Sequence, residues 1–284
     1  MAIRGERAGT GSPRAIIVAP MNLRTVAATR YVTPLREGGS LPAIVEGDDA
    51  GLYVVKFRGA GQGSSALVAE LVAGEIARAL GLPVPEIVLV TLDADLARTE
   101  PDPEIQDLIR ASAGLNLALD YLPGAAMFDA LADPIDAALA SKIVWFDAFV
   151  SNVDRTPRNP NLLVWHRRPW LIDHGAALYF HHGGTGYRGR AADRFAPIAD
   201  HALLPLATSL PDADAVLPSR LSPAIVRDIL ALVPDDWLVP STPYADASER
   251  RAAYDDYLLA RLHPPRAFFE EAAACASRAR TTTR

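Results

Sequence analysis

Three side chains between residues 145 and 178 have the types and spacing that phosphoryl transfer needs. In the stretch WFDAFVSNVDRTPRNPNLLVWHRRPWLIDHGAAL, Asp154 and Asn159 fall in a polar loop, and Asp173 closes a short apolar run just before His174-Gly175. In such a set one carboxylate takes up the proton of an attacking hydroxyl. An amide and a second carboxylate hold Mg2+ on the phosphates of ATP. Singly, Asp, Asn and Pro are ordinary loop residues. Their joint spacing carries the reading, together with the turn between two apolar runs (residues 162–165 and 170–172) that leads into Asp173. Asn161 lies nearer the first of those runs and is the alternative amide.

A second chemical signal lies upstream. Of 28 basic residues only two are lysines, Lys56 and Lys142. A chain that uses arginine almost everywhere has placed an ammonium in the apolar run LYVVKF. Lysine there offers a phosphate a compact point charge, where arginine would bring a wide planar fork. The helix expected over 66–80 offers it two partners, Glu70 and Glu75. At that separation they lie about 140° apart around a helix, so only one can face the lysine. Lys142 reads as a solvated helix residue.

Asp154-Arg155-Thr156-Pro157-Arg158-Asn159, the hairpin and Asp173-His174-Gly175 resemble the catalytic and metal-binding loops of HipA-like kinases. More distantly they resemble those of phosphatidylinositol and protein kinases, whose signature contains the same D-x-x-x-x-N spacing. Lys56 is similar to the lysine of V-A-I-K. Two residues depart from the pattern: Thr156 stands where HipA-like and lipid kinases carry His, and His174 replaces the Phe of D-F-G. Both leave the acid and amide groups intact. The resemblance covers roughly residues 25–237. It implies an α+β, two-lobed protein-kinase-like fold, with a mainly antiparallel N-lobe sheet carrying one helix and a helical C-lobe. It implies that Lys56 holds the α/β-phosphates of ATP, that Glu70 orients Lys56, that Asn159 and Asp173 bind Mg2+, and that Asp154 accepts the hydroxyl proton. It makes Gly38-Gly39-Ser40 the phosphate-covering turn, and Asp120, Tyr121 and Leu122 the hinge whose backbone meets adenine.

Other readings compete. Gly59, Gly61 and Gly63 between a strand and a helix invite a dinucleotide site. Counted from Gly59 the third glycine of G-x-G-x-x-G is Ser64, and counted from Gly61 it is Ala66. A lysine in what should be a buried parallel strand speaks against that site, as the missing G-K-[ST] does against a P-loop. A small-molecule or lipid-headgroup kinase and a nucleotide-binding pseudokinase remain as alternatives. The lipid version lacks a basic amphipathic helix, and the pseudokinase is hard to square with a full set of ionic groups. The glycine-rich segment after Asp173 points to an open acceptor site, hence a Ser or Thr hydroxyl on a protein, including the chain's own Ser40, Ser64 and Ser65. His181-His182 is a poor zinc pair, because adjacent histidines rarely aim at one ion; a mobile loop beside the site is the better reading.

Length and composition frame this. The 284 residues are 50% apolar and 22% charged, which is ordinary for a globular protein, and the net charge of −6 offers no basic footprint for nucleic acid. No apolar run approaches the ~20 residues of a membrane span. The single Cys275 cannot pair within the chain, and the compartment reads as cytoplasmic. The expected organisation is a disordered leader over 1–24, an N-lobe over 25–122, a C-lobe over 123–276 and a polar basic tail over 277–284. Strands are expected at 26–32, 43–46, 52–57, 87–92 and 115–122. Helices are expected at 104–111, around Leu139, Ile143, Phe146 and Val150, and at 202–209, 223–232, 247–262 and 267–276. A protein substrate is the expected partner. A DNA-binding, antitoxin-like partner follows from the family resemblance alone.

Overall fold

The computed structural model describes residues 22–35, 41–61, 63–130, 132–182, 187–238 and 244–282. Where apolar residues alternate, the chain forms strands: β1 (Thr25–Pro34), β2 (Ala43–Gly47), β3 (Leu52–Lys56), β4 (Ile87–Leu92) and β5 (Gly114–Asp120). They close into a barrel in the order β1-β2-β3-β5-β4. Four of the pairings are antiparallel. The closing one, with Val26 opposite Val90, is parallel. The mainly antiparallel sheet expected from sequence therefore has one parallel seam, and closure leaves β1 without a bare edge there. Arg24, assigned to the leader, belongs to this seam. Its carbonyl accepts from Leu89 N–H, and its guanidinium bonds Asp49 and Glu86, each at 2.8 Å.

The pleat of β4 and β5 divides the interior. Val88, Val90 and Ala118 point into the barrel, while Ile87, Leu117 and Leu119 point into a second, larger core. That second core takes in α1 (Gly63–Ala79), whose Leu67, Leu71, Val72 and Ile76 are buried, and it continues through the C-terminal helices. Contacts from the helical half hold α1 at both ends. Arg250 Nη2 donates to Ser65 Oγ at 2.9 Å, and Arg220 Nη1 donates to Leu80 O, just past the helix, at 2.7 Å. The helix that presents Glu70 is thus fixed to both halves of the molecule.

α2 (Pro103–Ala111), capped by Asp102, packs Ile105 and Ile109 into the barrel core, and a small sheet follows of β6 (Ala126–Met127), β7 (Leu162–Trp165) and β8 (Arg168–Leu171). The β7–β8 turn needs only His166 and Arg167, both at positive φ, the geometry of a two-residue hairpin loop. This is why β8 starts earlier than its apolar residues suggest. α3 (Ala137–Phe149), capped by Asp136, runs through the core with Trp145, Phe146 and Phe149 fully buried.

The helix expected at 202–209 is absent. Pro205 limits that stretch to a 3-10 turn (Leu204–Leu206), and the helix α4 (Leu210–Val216) begins later, with Pro211 in its first turn, where a missing N–H does no harm. α5 (Pro223–Ala231) and α6 (Ala247–Leu262) follow expectation. α7 (Ala267–Thr282) runs on into the segment read as a tail. Its Phe268, Ala272, Cys275 and Ala276 face the core, so Ser277, Arg278 and Arg280 only continue the polar side of a helix that nothing interrupts.

Candidate functional site

Lys56 ends β3, opposite Leu117 of β5, and its side chain turns toward α1. Nζ lies 2.7 Å from Glu70 Oε2 and is also hydrogen-bonded to Asp173 Oδ1. Of the two candidate partners on α1, only Glu70 meets the lysine; Glu75 lies 3.5 Å from Arg78 on another face. Glu70 is fully buried, the Lys56 side chain is 12% exposed and that of Asp173 is 39% exposed. Burial works against the charged form of Lys56, but the charges of Glu70 and Asp173 outweigh it and hold the ammonium well above its usual range. Burial would likewise raise the Glu70 carboxyl, yet Lys56 holds it well below the ordinary carboxylate range. One ammonium is therefore shared by two carboxylates, and the carboxylate facing solvent is the one free to take a cation. His174 sits behind, fully buried, its Nδ1 3.5 Å from Glu70 Oε1 and its ring edge-on to Phe146.

Asp154, Asn159 and Asn161 form a second cluster. Asp154 Oδ2 accepts from Asn159 Nδ2 at 2.8 Å and from Asn161 Nδ2 at 3.1 Å. The turn over Pro157-Arg158 brings Asn159 back. Thr156 N–H donates to Asn159 O at 3.0 Å, and Asn159 N–H donates to Thr156 O at 3.1 Å and Thr156 Oγ1 at 3.3 Å. Thr156, in the place of the family's His, thus helps to shape the turn. The two clusters meet through backbone, where Ile172 N–H, one residue before Asp173, donates to Asn161 O at 3.1 Å. A carboxylate half open to solvent and amide oxygens not engaged by the Asp154 contacts are hard oxygen donors. They fit Mg2+ and would suit a softer metal poorly.

Beneath this loop is a group of residues that sequence reading did not single out. Arg155, buried like Asp147, donates from Nε to Asp147 Oδ2 at 2.7 Å and grips the carbonyl of Asn161. Asn152 Nδ2 donates to Asp147 Oδ1 at 2.8 Å, and the side chain of Asn152 accepts from Asp154 N–H. His201 Nδ1 accepts from Leu203 N–H, so its Nε2 carries the proton given to Asp147 Oδ2 at 2.9 Å. The signal in the sequence was Asp147 itself, a carboxylate inside the apolar run WFDAF of a core helix. Its partner His201 is far away in the chain.

Other expected positions fare differently. Gly38, Gly39 and Ser40 lie outside the described residues. In the proposed hinge, Asp120 N–H donates to Glu86 O and Tyr121 N–H to Leu52 O; Leu122 O accepts from Ala125 N–H. Of the three N–H groups, that of Leu122 alone is not taken by these bonds. The glycine-rich segment after β3, set aside as a dinucleotide loop, borders a recess with Lys56, Phe57, Ala60, Gly63, Asp173 and Gly175 on its walls. His181 bonds Tyr254 Oη through Nδ1 at 2.9 Å and is buried, a packing role. No described helix is long and apolar enough to cross a membrane.

Comparison with known proteins gives the family. A family model described as HipA-like kinase matches residues 29–263. Among solved structures, the crystal structure of a Helicobacter pylori proinflammatory kinase, CtkA, is similar in fold, at TM-score 0.55 and 13% identity over 90% of this chain and 99% of that one. The Golgi casein kinase with Mn/ADP bound aligns at TM-score 0.45 and 11% identity, over 92% of this chain and 74% of that one. No curated protein matches the sequence. The family match spans most of the barrel, both clusters and α6, and on it the chain belongs to the HipA-like kinases and is a phosphotransferase.

Proposed function

We propose that this kinase transfers the γ-phosphoryl group of ATP to Ser or Thr hydroxyls of a protein acceptor. The observation that carries the reading is Lys56 held between a buried Glu70 and a solvent-facing Asp173. An ammonium so placed is fixed, charged and within reach of anionic phosphates in the adjoining recess.

In this reading Lys56 binds the α- and β-phosphates, and Glu70 keeps its Nζ in place. Mg2+, when bound by Asp173 and Asn159, supplies neutralisation of the charge that builds on the transferring group and the departing ADP. Asp154 takes the proton of the acceptor hydroxyl as that oxygen bonds to the γ-phosphorus and the bond to the β-phosphate oxygen breaks. The amides of Asn159 and Asn161 hold Asp154 Oδ2, which leaves its other oxygen for the acceptor. The rest of catalysis is positioning. Gly38-Gly39-Ser40 covers the phosphates, and Asp120, Tyr121 and Leu122 meet the adenine, with Leu122 N–H as the donor. The barrel and α1 act as the upper lobe (25–122) and the remainder as the lower (123–276). The setting is cytoplasmic, without a membrane or direct nucleic-acid role, and an antitoxin-like partner belongs to the same proposal. Among the chain's own described serines, Ser65 accepts from Arg250 whereas Ser64 is not so held, which makes Ser64 the better internal acceptor.

The test is incubation of the purified protein with labelled ATP and Mg2+, alone and in lysate. Label should enter protein and vanish in Asp154→Asn, with ATP binding retained and turnover down by about 10²–10⁴-fold. Label found only in a small metabolite would establish the small-molecule alternative. ATP binding with no transfer in wild type would establish the pseudokinase.

A further inference from the structure

In the D-F-G pattern the residue after the metal-binding Asp is an apolar Phe; here it is His174, and it is not merely packing. Its ring is fully buried, and among the described residues neither nitrogen has a hydrogen-bond partner. Glu70 Oε1 is equally buried and equally without one. These atoms face each other, with Nδ1 3.5 Å from Oε1. A buried carboxylate oxygen and a buried imidazole nitrogen so close together are each the remedy for the other's missing bond.

We infer that His174 is a positioning residue, whose imidazole donates its Nδ1–H to Glu70 Oε1 and so ties the metal-binding Asp173 to the helix that orients Lys56. The inference rests on the phosphotransfer reading of the site. Lys56 is shared between Glu70 and Asp173. When Asp173 turns to a metal ion, the lysine keeps only Glu70, and Glu70 then needs a second hold if its other oxygen is to stay in place. His174 supplies that hold from the residue next to Asp173, so the metal ligand and α1 remain linked without the lysine. Asp173 itself has φ +54, unusual for a residue with a side chain.

Histidine ring N–H signals in the nucleotide-free protein test the bond directly. Protected ring protons are expected from His174 on Glu70, from His201 on Asp147 and from the buried His181 beside Tyr254, the last two serving as internal references. Glu70→Gln should move the first and leave the references. Kinetics supply the other arm. His174→Phe keeps the ring packed on Phe146 but removes the donor, and it should lower kcat for phosphotransfer by roughly 10-fold. His174→Asn places an amide N–H near the Nδ1 position and should restore kcat to within about 3-fold, a split that a packing role alone would not produce. If Phe and Asn variants behave alike, or if the His174 signal ignores Glu70→Gln, the inference is overturned. Should His174→Phe not fold, the Glu70→Gln spectrum and the Asn variant still decide. A protein with the expected ring signals but no phosphotransfer would refute the function and leave the bond standing.

Discussion

Two clusters of carboxylate, cation and histidine lie near each other in this chain, and they are made of nearly the same parts. In one, Lys56 sits between Glu70 and Asp173, with His174 behind. In the other, Arg155 and His201 converge on Asp147. They differ in their access to water. Asp147 and Arg155 have no exposed side-chain surface, while the Asp173 side chain is 39% exposed. They differ also in the cation. The guanidinium of Arg155 engages the carbonyls of Pro160 and Asn161 as well as Asp147, a fixed fork suited to permanent bonds. The ammonium of Lys56 is a point charge that can exchange one carboxylate for a phosphate. The open cluster is arranged for changing partners and the sealed one for holding the loop that carries Asp154.

The largest expected effect breaks the sealed cluster. Arg155→Met leaves Asp147 buried without its cation, and removing one member of a buried ion pair costs about 3–5 kcal/mol. Urea unfolding should register this, and a loss under about 1 kcal/mol would show that the cluster does not hold the fold. Acid sharpens the point. Burial alone would raise the Asp147 carboxyl, but the charge of Arg155 and the bond from His201 hold it well below its usual range. A group depressed in this way contributes stability above its unfolded value of about 3.9, and the contribution is lost as pH falls through the folded value. Wild-type stability should therefore decline only below about pH 4 on this account. In Arg155→Met the penalty should instead shrink as pH falls, because burial then dominates, raises the Asp147 carboxyl, and lets protonation relieve the unpaired charge.

The matching change in the open cluster should behave in the opposite way. Asp173→Asn leaves Lys56 paired with Glu70, and because Asp173 is part-exposed the unfolding free energy should change by about 1 kcal/mol or less. What should disappear is stabilisation by Mg-ATP, about 2.7 kcal/mol for wild type at a ligand concentration one hundred times Kd. Thermal melts with and without nucleotide measure both quantities. A variant that unfolds easily yet still responds to nucleotide would reverse the roles of the two clusters.

The open cluster was the more legible of the two in the sequence, for a physical reason. Lys56 stood out because the chain otherwise uses arginine, and Asp154, Asn159 and Asp173 because loop carboxylates at fixed spacing are local signals. Local periodicity also placed β2, β4, α3 and α6 closely. The choice between Glu70 and Glu75 needed the direction in which β3 and α1 face each other; a helical period alone excludes only their acting together. The sealed cluster depends on contacts far apart in the chain, since nothing near Asp147 in sequence announces His201. The same limit hid the parallel seam between β1 and β4. Misreadings at 202–209 and past residue 276 arose where a single Pro205, or the packing of Cys275 and Ala276, decided the outcome against composition.

The smallest expected effect distinguishes the two amides that flank Asp154. Asn159 and Asn161 both donate to Asp154 Oδ2, so removing either frees that carboxylate in the same way, and only metal binding should separate the variants. Asn161 is 4% exposed, sits at φ +47, and its carbonyl is held by Arg155 and by Ile172 N–H. Its place is in the wall of the loop, and asparagine tolerates that left-handed backbone better than alanine does. Asn159 is more open, at the end of the Thr156 turn, where an ion arriving with phosphates and water can reach its amide oxygen. Asn159→Ala should therefore raise the Kd for ATP at fixed Mg2+ by about 10-fold, with little effect when Mg2+ is withheld. Asn161→Ala should change that Kd by less than about 3-fold while lowering stability by roughly 1 kcal/mol, since alanine at positive φ is strained. Calorimetric titration of ATP with and without Mg2+, beside urea unfolding of each variant, reads out both. The reverse order of the two affinities would move the metal ligand to Asn161 and set Asn159 in the wall.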